Sequence, residues 1–193
     1  LGTAQIAALL TEQIADLSTT QLAAMETRDV AALTTAQIQA VTATSLAATG
    51  TGFIAALSTA AIGALATDQV ASLTTSQVEA LSTAQVKALT TAGMDALTTA
   101  QLNALETRDV AALSTAQVQA IGSDIAALST GNLNAMGTAQ IAALTTAQVD
   151  SLTTTQLNAM ETADVAALTT AQVRAITAAD MSELSTGTLN ALG

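Results

Sequence analysis

The sequence predicts an all-α fold: a solenoid, or superhelix, of very short helices with one helix per eight-residue repeat. Three observations predict it. The 193 residues repeat an octad typified by Leu81-Ser82-Thr83-Ala84-Gln85-Val86-Lys87-Ala88, Leu89 opens the next copy, and the register gives 24 units. Self-similarity of so short a period implies stacked units that bury one shared core. The period also suits no continuous element. At about 100° per residue, eight residues overshoot two helical turns by about 80°, so the Leu stripe would circle an unbroken helix. On a strand, the apolar positions would fall on both faces, and Ala and Gln are poor strand residues. The third observation is a capping box in the typical octad, which starts a new helix every eight residues.

The octad is numbered here from its Leu, as slots one to eight. Slot two is Ser, Thr or Gly in 19 of 24 units, and Glu26, Glu106 and Glu161 are the main departures. Read as the N-cap, its hydroxyl accepts from the N3 amide, while the slot-five Gln reaches back to the cap amide. Thr34, Ser82, Thr98, Ser114, Thr145 and Thr169 are the caps this predicts. Slots one and six then flank the helix start as a hydrophobic staple. Slot three is Thr in 21 of 24 units and would sit at N1, where it is merely tolerated, so the pattern leaves open which of slots two and three is the cap.

Slots one and six supply the predicted core. Slot six is always aliphatic or Met, and with slot one it yields Leu9, Ile14, Leu17, Leu22, Leu33, Ile38, Leu73, Val78, Leu81, Val86, Leu89, Leu97, Leu105, Val110, Leu113, Leu144, Val149 and Leu168. Slot eight is Ala in 20 of 24 units and reads as a second inward position that lets backbones approach. Slot seven takes Glu79, Lys87, Asp95, Asn103, Asp150 and Arg174 beside Ala, as a solvent-facing position does. A helix of one and a half turns is too short to stand alone and has to be held by its neighbours. The alternative architecture is a β-solenoid with Thr and Val strands. With 10 Gly and no Pro it has few turn signals.

Along the chain, residues 1–193 read as a single array with blocks 1–56, 81–135 and 136–193, and 57–80 as extra octads. A seven-octad block fits a solenoid of about three and a half units per turn completing two turns. Two irregularities interrupt the pattern. Ile121-Gly122-Ser123-Asp124-Ile125 is one residue short, and around Gly50-Thr51-Gly52-Phe53 the slot-one residue is Thr49. Gly50-Thr51-Gly52 lacks the third Gly and the Lys of a phosphate loop, and reads as a degenerate octad. Leu192-Gly193 repeats Leu1-Gly2 and Met136-Gly137, so the array is expected to continue in both directions, without polar capping units. No signal peptide is read at Leu1.

Composition excludes several function classes. There is no His, Cys, Tyr or Trp, which removes the usual general bases, thiolate nucleophiles and soft metal ligands, so no enzyme and no cofactor is expected. A net charge of −11 opposes nucleic-acid binding and favours solubility of a long polymer. Mean hydropathy is +0.50, yet Thr, Ser or Gln interrupts every octad, so no membrane span is expected. Glu26 with Asp29, Glu106 with Asp109 and Glu161 with Asp164 form a recurring acidic pair that could suit calcium. The stronger reading of these pairs is interaction with the helix dipole and its unpaired amides. Ranked Thr hydroxyls raise ice or surface binding, although caps use the same groups.

The L-[ST]-T-x-Q-[VIL]-x-A run, as in Leu73 to Leu105, resembles the octapeptide-repeat arrays of large secreted or surface, adhesin-like proteins of bacteria. The resemblance implies an extracellular or cell-surface stalk, fibre or matrix component, and carries no site residues with it. The function expected is a structural repeat module of an extended extracellular fibre, stalk or filament, acidic and adhesive, that self-associates end to end. The alternative is a module presenting ligand positions to calcium or to ice and other surfaces.

Overall fold

The computed structural model describes residues 2–193; Leu1, counted above in slot one, lies outside the described residues. Among the described residues there is no strand, and 23 α-helices and one 3-10 helix follow one another from Thr3–Ala7 to Thr186–Ala191. The helices are short: Thr27–Val30 has four residues and Thr83–Ala88 has six. The chain is a helical solenoid of these elements. It forms two units, Leu1–Ala104 and Leu105–Gly193.

Slot two is the cap and slot three is N1. Ser82 has φ −75° and ψ 156°, extended backbone, and its hydroxyl accepts from the Gln85 amide at 3.4 Å. Gln85 Oε1 accepts in return from the Ser82 amide at 2.8 Å. Thr34, Thr98, Ser114, Thr145 and Thr169 make the same reciprocal pair with Gln37, Gln101, Gln117, Gln148 and Gln172. Where slot two is Gly2, Leu10, Ala66 or Gly137, there is no hydroxyl and the Gln half of the box stands alone.

Helices such as Thr83–Ala88 and Thr146–Ser151 end because slot one leaves the helical region, whereas Ile121 and Leu192 stay in it. The Leu89 amide bonds back to the Val86 carbonyl at 3.2 Å, a tightened last turn, and Leu89 then has φ −58° and ψ 135°. Two extended residues, Leu89 and Thr90, turn the chain into the next helix.

Within each unit a helix packs most closely against the third helix after it. Ala43–Ala47 meets Thr67–Ser72 and Thr59–Gly63 meets Thr83–Ala88 in the first unit, and Thr146–Ser151 meets Thr170–Ala175 in the second. The core of each unit is the two apolar slots. Ile14, Leu22, Ile38, Val78, Leu81, Val86, Leu97, Val110 and Val149 are at most 2% exposed, and Leu33, Leu73, Leu89, Leu105, Leu113 and Leu144 are also buried.

Three predicted core residues, Leu9, Leu17 and Leu168, are only half-buried. Leu9 and Leu17 lie in the first coil and Leu168 in the last, so among the described residues each has a neighbouring coil on one side. Slot eight is also corrected: Ala40, Ala80, Ala88 and Ala120 are half-buried, at the seam between coils rather than inside. The seam is tight at Gly63, where a Cβ would stand 2.9 Å from the Ala88 carbonyl oxygen.

Neither irregularity breaks the coil. Residues Thr51–Ala56 form an ordinary helix with Phe53 buried in slot five and Gly50 as its cap. Thr49 is buried in the Leu slot, where its hydroxyl donates to the Leu46 carbonyl at 2.7 Å. In the short octad the chain tightens into the 3-10 helix Gly122–Ala127, entered at Gly122 with φ +60°, a region that favours glycine. Ile125 remains fully buried in slot six.

Candidate functional site: a ladder of glutamine amides

Slot five is the most informative position in the structure. Its Gln side chains are buried: Gln37, Gln69, Gln77, Gln85, Gln101, Gln148, Gln156 and Gln172 are at most 3% exposed. Burial of an amide is tolerated only when its donors and acceptor are paired, and here all are. With Oε1 held in the capping box, Nε2 donates to two backbone carbonyls of the preceding coil. Gln85 Nε2 reaches the Ile54 and Leu57 carbonyls, both at 2.9 Å. Gln37 reaches Ile6 and Leu9, Gln69 reaches Ile38 and Val41, Gln77 reaches Leu46 and Thr49, and Gln101 reaches Val70 and Leu73.

The second unit repeats the pattern with Gln156 on Ile125 and Leu128 and Gln172 on Ile141 and Leu144. The acceptors are the carbonyls of slots six and one at the helix end, and the slot-six carbonyl also accepts from the slot-one amide, as Ile54 does from Leu57 at 3.2 Å.

The spacing fixes the coil. Each of these amides bridges partners 31 and 28 residues back, that is, slot six of the fourth unit back and slot one of the third. One turn therefore holds between three and four octads. Past the short octad the spacing contracts to 30 and 27 residues for Gln140 and to 30 and 26 for Gln148, and returns to 31 and 28 at Gln156.

Slot seven adds an outer latch that points the other way. Gln39 Nε2 donates to the Ala64 carbonyl at 2.9 Å, Gln119 to Ala143 and Asn134 to Ala159, both at 2.7 Å, and Asn158 to Glu183 at 3.1 Å. Asn158 Oδ1 also accepts from the Ser185 amide at 2.7 Å.

Sequence reasoning explained slot five by the capping box and missed the ladder. A signal was present. A capping box accepts Glu as readily as Gln, yet slot five holds 13 Gln and no Glu. Only the amide carries the N–H groups the ladder uses.

The acidic pairs occupy the same slot differently. Asp29, Asp109 and Asp164 are buried, and a carboxylate has no proton to give a carbonyl. Arg28 Nε lies 3.0 Å from Glu26 and 3.5 Å from Asp29, and Arg108 lies 2.7 Å from Glu106 and 3.7 Å from Asp109, so guanidinium groups stand against two of the pairs. Asp29 Oδ1 receives no hydrogen bond among the described residues. The third pair has Ala163 in place of Arg. Its Asp164 carboxyl is held above the usual range, first by burial and then by the like charge of Glu161. Asp180 is held below it by hydrogen bonds from the Thr154 hydroxyl at 2.6 Å and the Thr177 hydroxyl at 2.7 Å. Among the described residues, no group of three or more acidic side chains gathers as a metal site, and no helix is long and apolar enough to cross a membrane.

No curated protein matches the chain. The family model for the ALTTAQ repeat matches it four times, over residues 46–83, 75–107, 125–162 and 157–193. These matches cover more than half of the sequence, on the octads that carry the cap, the amide ladder and the two apolar slots; the chain belongs to the ALTTAQ repeat family.

Proposed function

We propose that the chain is a structural repeat module of an extended extracellular fibre, stalk or filament, serving at a bacterial cell surface and contributing to adhesion. The observation that carries this reading is the ladder itself. Equivalent amide-to-carbonyl bridges join coil to coil within each unit, from Gln37 to Gln101 in the first and from Gln140 to Gln172 in the second. In such a construction length is added by repetition, and each interface contributes its own increment. A net charge of −11 keeps such a polymer soluble, and the lack of Cys is compatible with an oxidising exterior. Catalysis plays no part in the proposal.

The test is length against copy number. A tandem of two copies of the chain is compared with the single chain by electron microscopy and small-angle scattering. Doubling of the long dimension at constant cross-section supports the module reading; a rounded particle that grows in all directions overturns it.

One observation favours surface recognition as a second reading. Slot-three threonines such as Thr35, Thr67, Thr75, Thr99 and Thr115 are exposed and recur every octad or multiple of it. Thermal hysteresis of the purified chain measures ice binding directly.

A further inference from the structure

Inside the first unit the ladder is interrupted for most of a turn. Slot five holds Gln37 before the interruption and Gln69, Gln77 and Gln85 after it, and between them stand Ser45, Phe53 and Ala61. The ladder's spacing of 31 and 28 residues assigns to these three the carbonyls of Ile14 and Leu17, Leu22 and Met25, and Val30 and Leu33. None of the three has a side-chain amide to give. One turn holds between three and four octads, so three successive missing rungs leave most of a turn without its bridges.

Apolar packing holds the coils together across this stretch. Phe53 and Ala61 are buried in slot five, beside Leu46, Ile54 and Ile62 in slot six. Among the described residues, the long-range hydrogen bond that crosses from residues 14–40 to residues 41–64 is the exposed latch of Gln39 on the Ala64 carbonyl. The next stretch of seam is built differently. There Gln69, Gln77 and Gln85 each bridge to two carbonyls, and the Ser72 hydroxyl donates to the Ala43 carbonyl at 3.0 Å. Helix packing follows suit: Thr19–Ala23 meets Ala43–Ala47 less extensively than Ala43–Ala47 meets Thr67–Ser72, and Thr35–Ala40 meets Thr59–Gly63 less extensively than Thr59–Gly63 meets Thr83–Ala88. Between these two loose contacts, Thr51–Ala56 with its buried Phe53 still packs well on Thr27–Val30. Apolar contact is non-directional, whereas an amide bridge fixes the register of both its coils.

We propose that this stretch is a compliant joint, the seam at which the coils part first, so that a stalk under tension yields here while the laddered coils keep their fold. The inference rests on the module reading and adds a mechanical function to it. Parting here breaks no amide bridge, and closing requires none to find its carbonyls again. The sequence dispenses with the Gln rung at corresponding places. The sixth and seventh octads of blocks 1–56, 81–135 and 136–193 carry Ser45 and Phe53, Asp124 and Asn132, and Asp180 and Thr188 in slot five. Asn132 reaches the Leu105 carbonyl at 3.3 Å, and Asp180 accepts from the Thr154 hydroxyl instead of donating. In the first block the run extends to a third octad through Ala61, which makes it the widest interruption in that unit.

The test is single-molecule pulling on the intact chain, which has no Cys of its own, so introduced thiols alone take the handles. Thr20→Cys with Thr44→Cys loads the joint, between Thr19–Ala23 and Ala43–Ala47. Thr44→Cys with Asp68→Cys loads the laddered seam, between Ala43–Ala47 and Thr67–Ser72. All three positions are exposed, and the members of each pair are three octads apart, so the two measurements release equal lengths of chain. The expected result is that at a given load the joint opens faster than the laddered seam by on the order of tenfold or more, the factor that about 1.4 kcal/mol represents.

Adding rungs separates the joint from any effect of position along the chain. Ser45→Gln and Ala61→Gln follow the caps Thr42 and Ser58 and supply two of the missing amides. They are expected to slow opening between the Thr20 and Thr44 handles by about tenfold and to leave the Thr44 and Asp68 handles unchanged. The converse variant, Gln69→Ala with Gln77→Ala, is expected to make the laddered seam yield as the joint does. Circular dichroism verifies the helix content of each. Equal yielding of the two seams in the otherwise unmodified chain overturns the proposal, as does a pair of seams whose opening neither the added nor the removed rungs change. Neither readout involves copy number, so the joint and the module reading fail separately.

Discussion

The carboxamide of Gln85 donates to the carbonyl oxygen of Leu57 at 2.9 Å across 28 residues of sequence, while its Oε1 closes the cap at Ser82. One side chain thereby sets the start of its own helix and the height of its coil above the last. Gln85→Ala takes the amide away from the Leu57 carbonyl, leaves the Ile54 carbonyl with the Leu57 amide alone, and opens the cap at the exposed Ser82. With about 1–3 kcal/mol for each unpaired buried group, the expected loss is about 3 kcal/mol by urea unfolding. Gln85→Glu retains the cap and still loses at least as much at neutral pH, because a carboxylate then faces two carbonyl oxygens. Equal stability of the Glu variant and the parent would remove the ladder's claim to hold the coils.

Burial in slots one and six sets a gradient along each unit. Ile54 is fully buried, and Ile54→Ala is expected to cost about 2–5 kcal/mol. Leu168 is half-buried, and Leu168→Ala should cost well under half as much. Thermal or denaturant midpoints of the two variants check the order.

The seam at Gly63 has no room for a methyl group. The nearest atom is the backbone oxygen of Ala88, which cannot swing aside as a side chain would. Gly63→Ala is expected to destabilise by about 1–3 kcal/mol through forced separation of the coils. Gly52 lies inside the helix Thr51–Ala56, and a methyl group there would meet nothing within 4 Å, so Gly52→Ala should stabilise by about 0.5–1 kcal/mol. Opposite signs from the same substitution are the outcome to measure.

Two aspartates respond to acid in opposite directions. Asp164 binds its proton more tightly folded than unfolded, so between the ordinary carboxyl value of 3.8 and its own higher value stability falls as pH rises, and the ionised form stays destabilising above that window. Asp180 ionises more easily folded than unfolded. Its contribution is present above 3.8 and is lost as pH falls through its lower folded value. Asp164→Asn should raise stability at pH 7 and flatten the fall above pH 4, whereas Asp180→Asn should lower stability at pH 7. Urea midpoints from pH 3 to 7 test both signs.

The helices were legible in the sequence because their cause is local: Ser82 and Gln85 lie three residues apart and specify a helix start between them. The apolar slots were legible for a related reason, since Val86 and Leu89 share one side of one turn. The ladder was harder to read because its acceptors, Ile54 and Leu57 for Gln85, are backbone carbonyls, and a carbonyl leaves no mark in the residue alphabet. The half-burial of Leu9 and Leu17 was hidden too, since it depends on the coil above or below and not on the octad. Slot eight misled because Ala suits a tight seam as well as a core, and composition alone does not separate the two.

The octad that lacks a residue shows what the coil tolerates. Gly122 and the tightened turn after it absorb the loss, and by Gln156 the bridging distances are again those of the earlier coils. The loss of one residue is therefore forgotten within about one turn of the protein, as a dropped stitch is taken up by the next row. Recombination between copies can lengthen or shorten the product without choosing its breakpoints carefully. The number of coils can then change in small steps while the octad's fold stays the same.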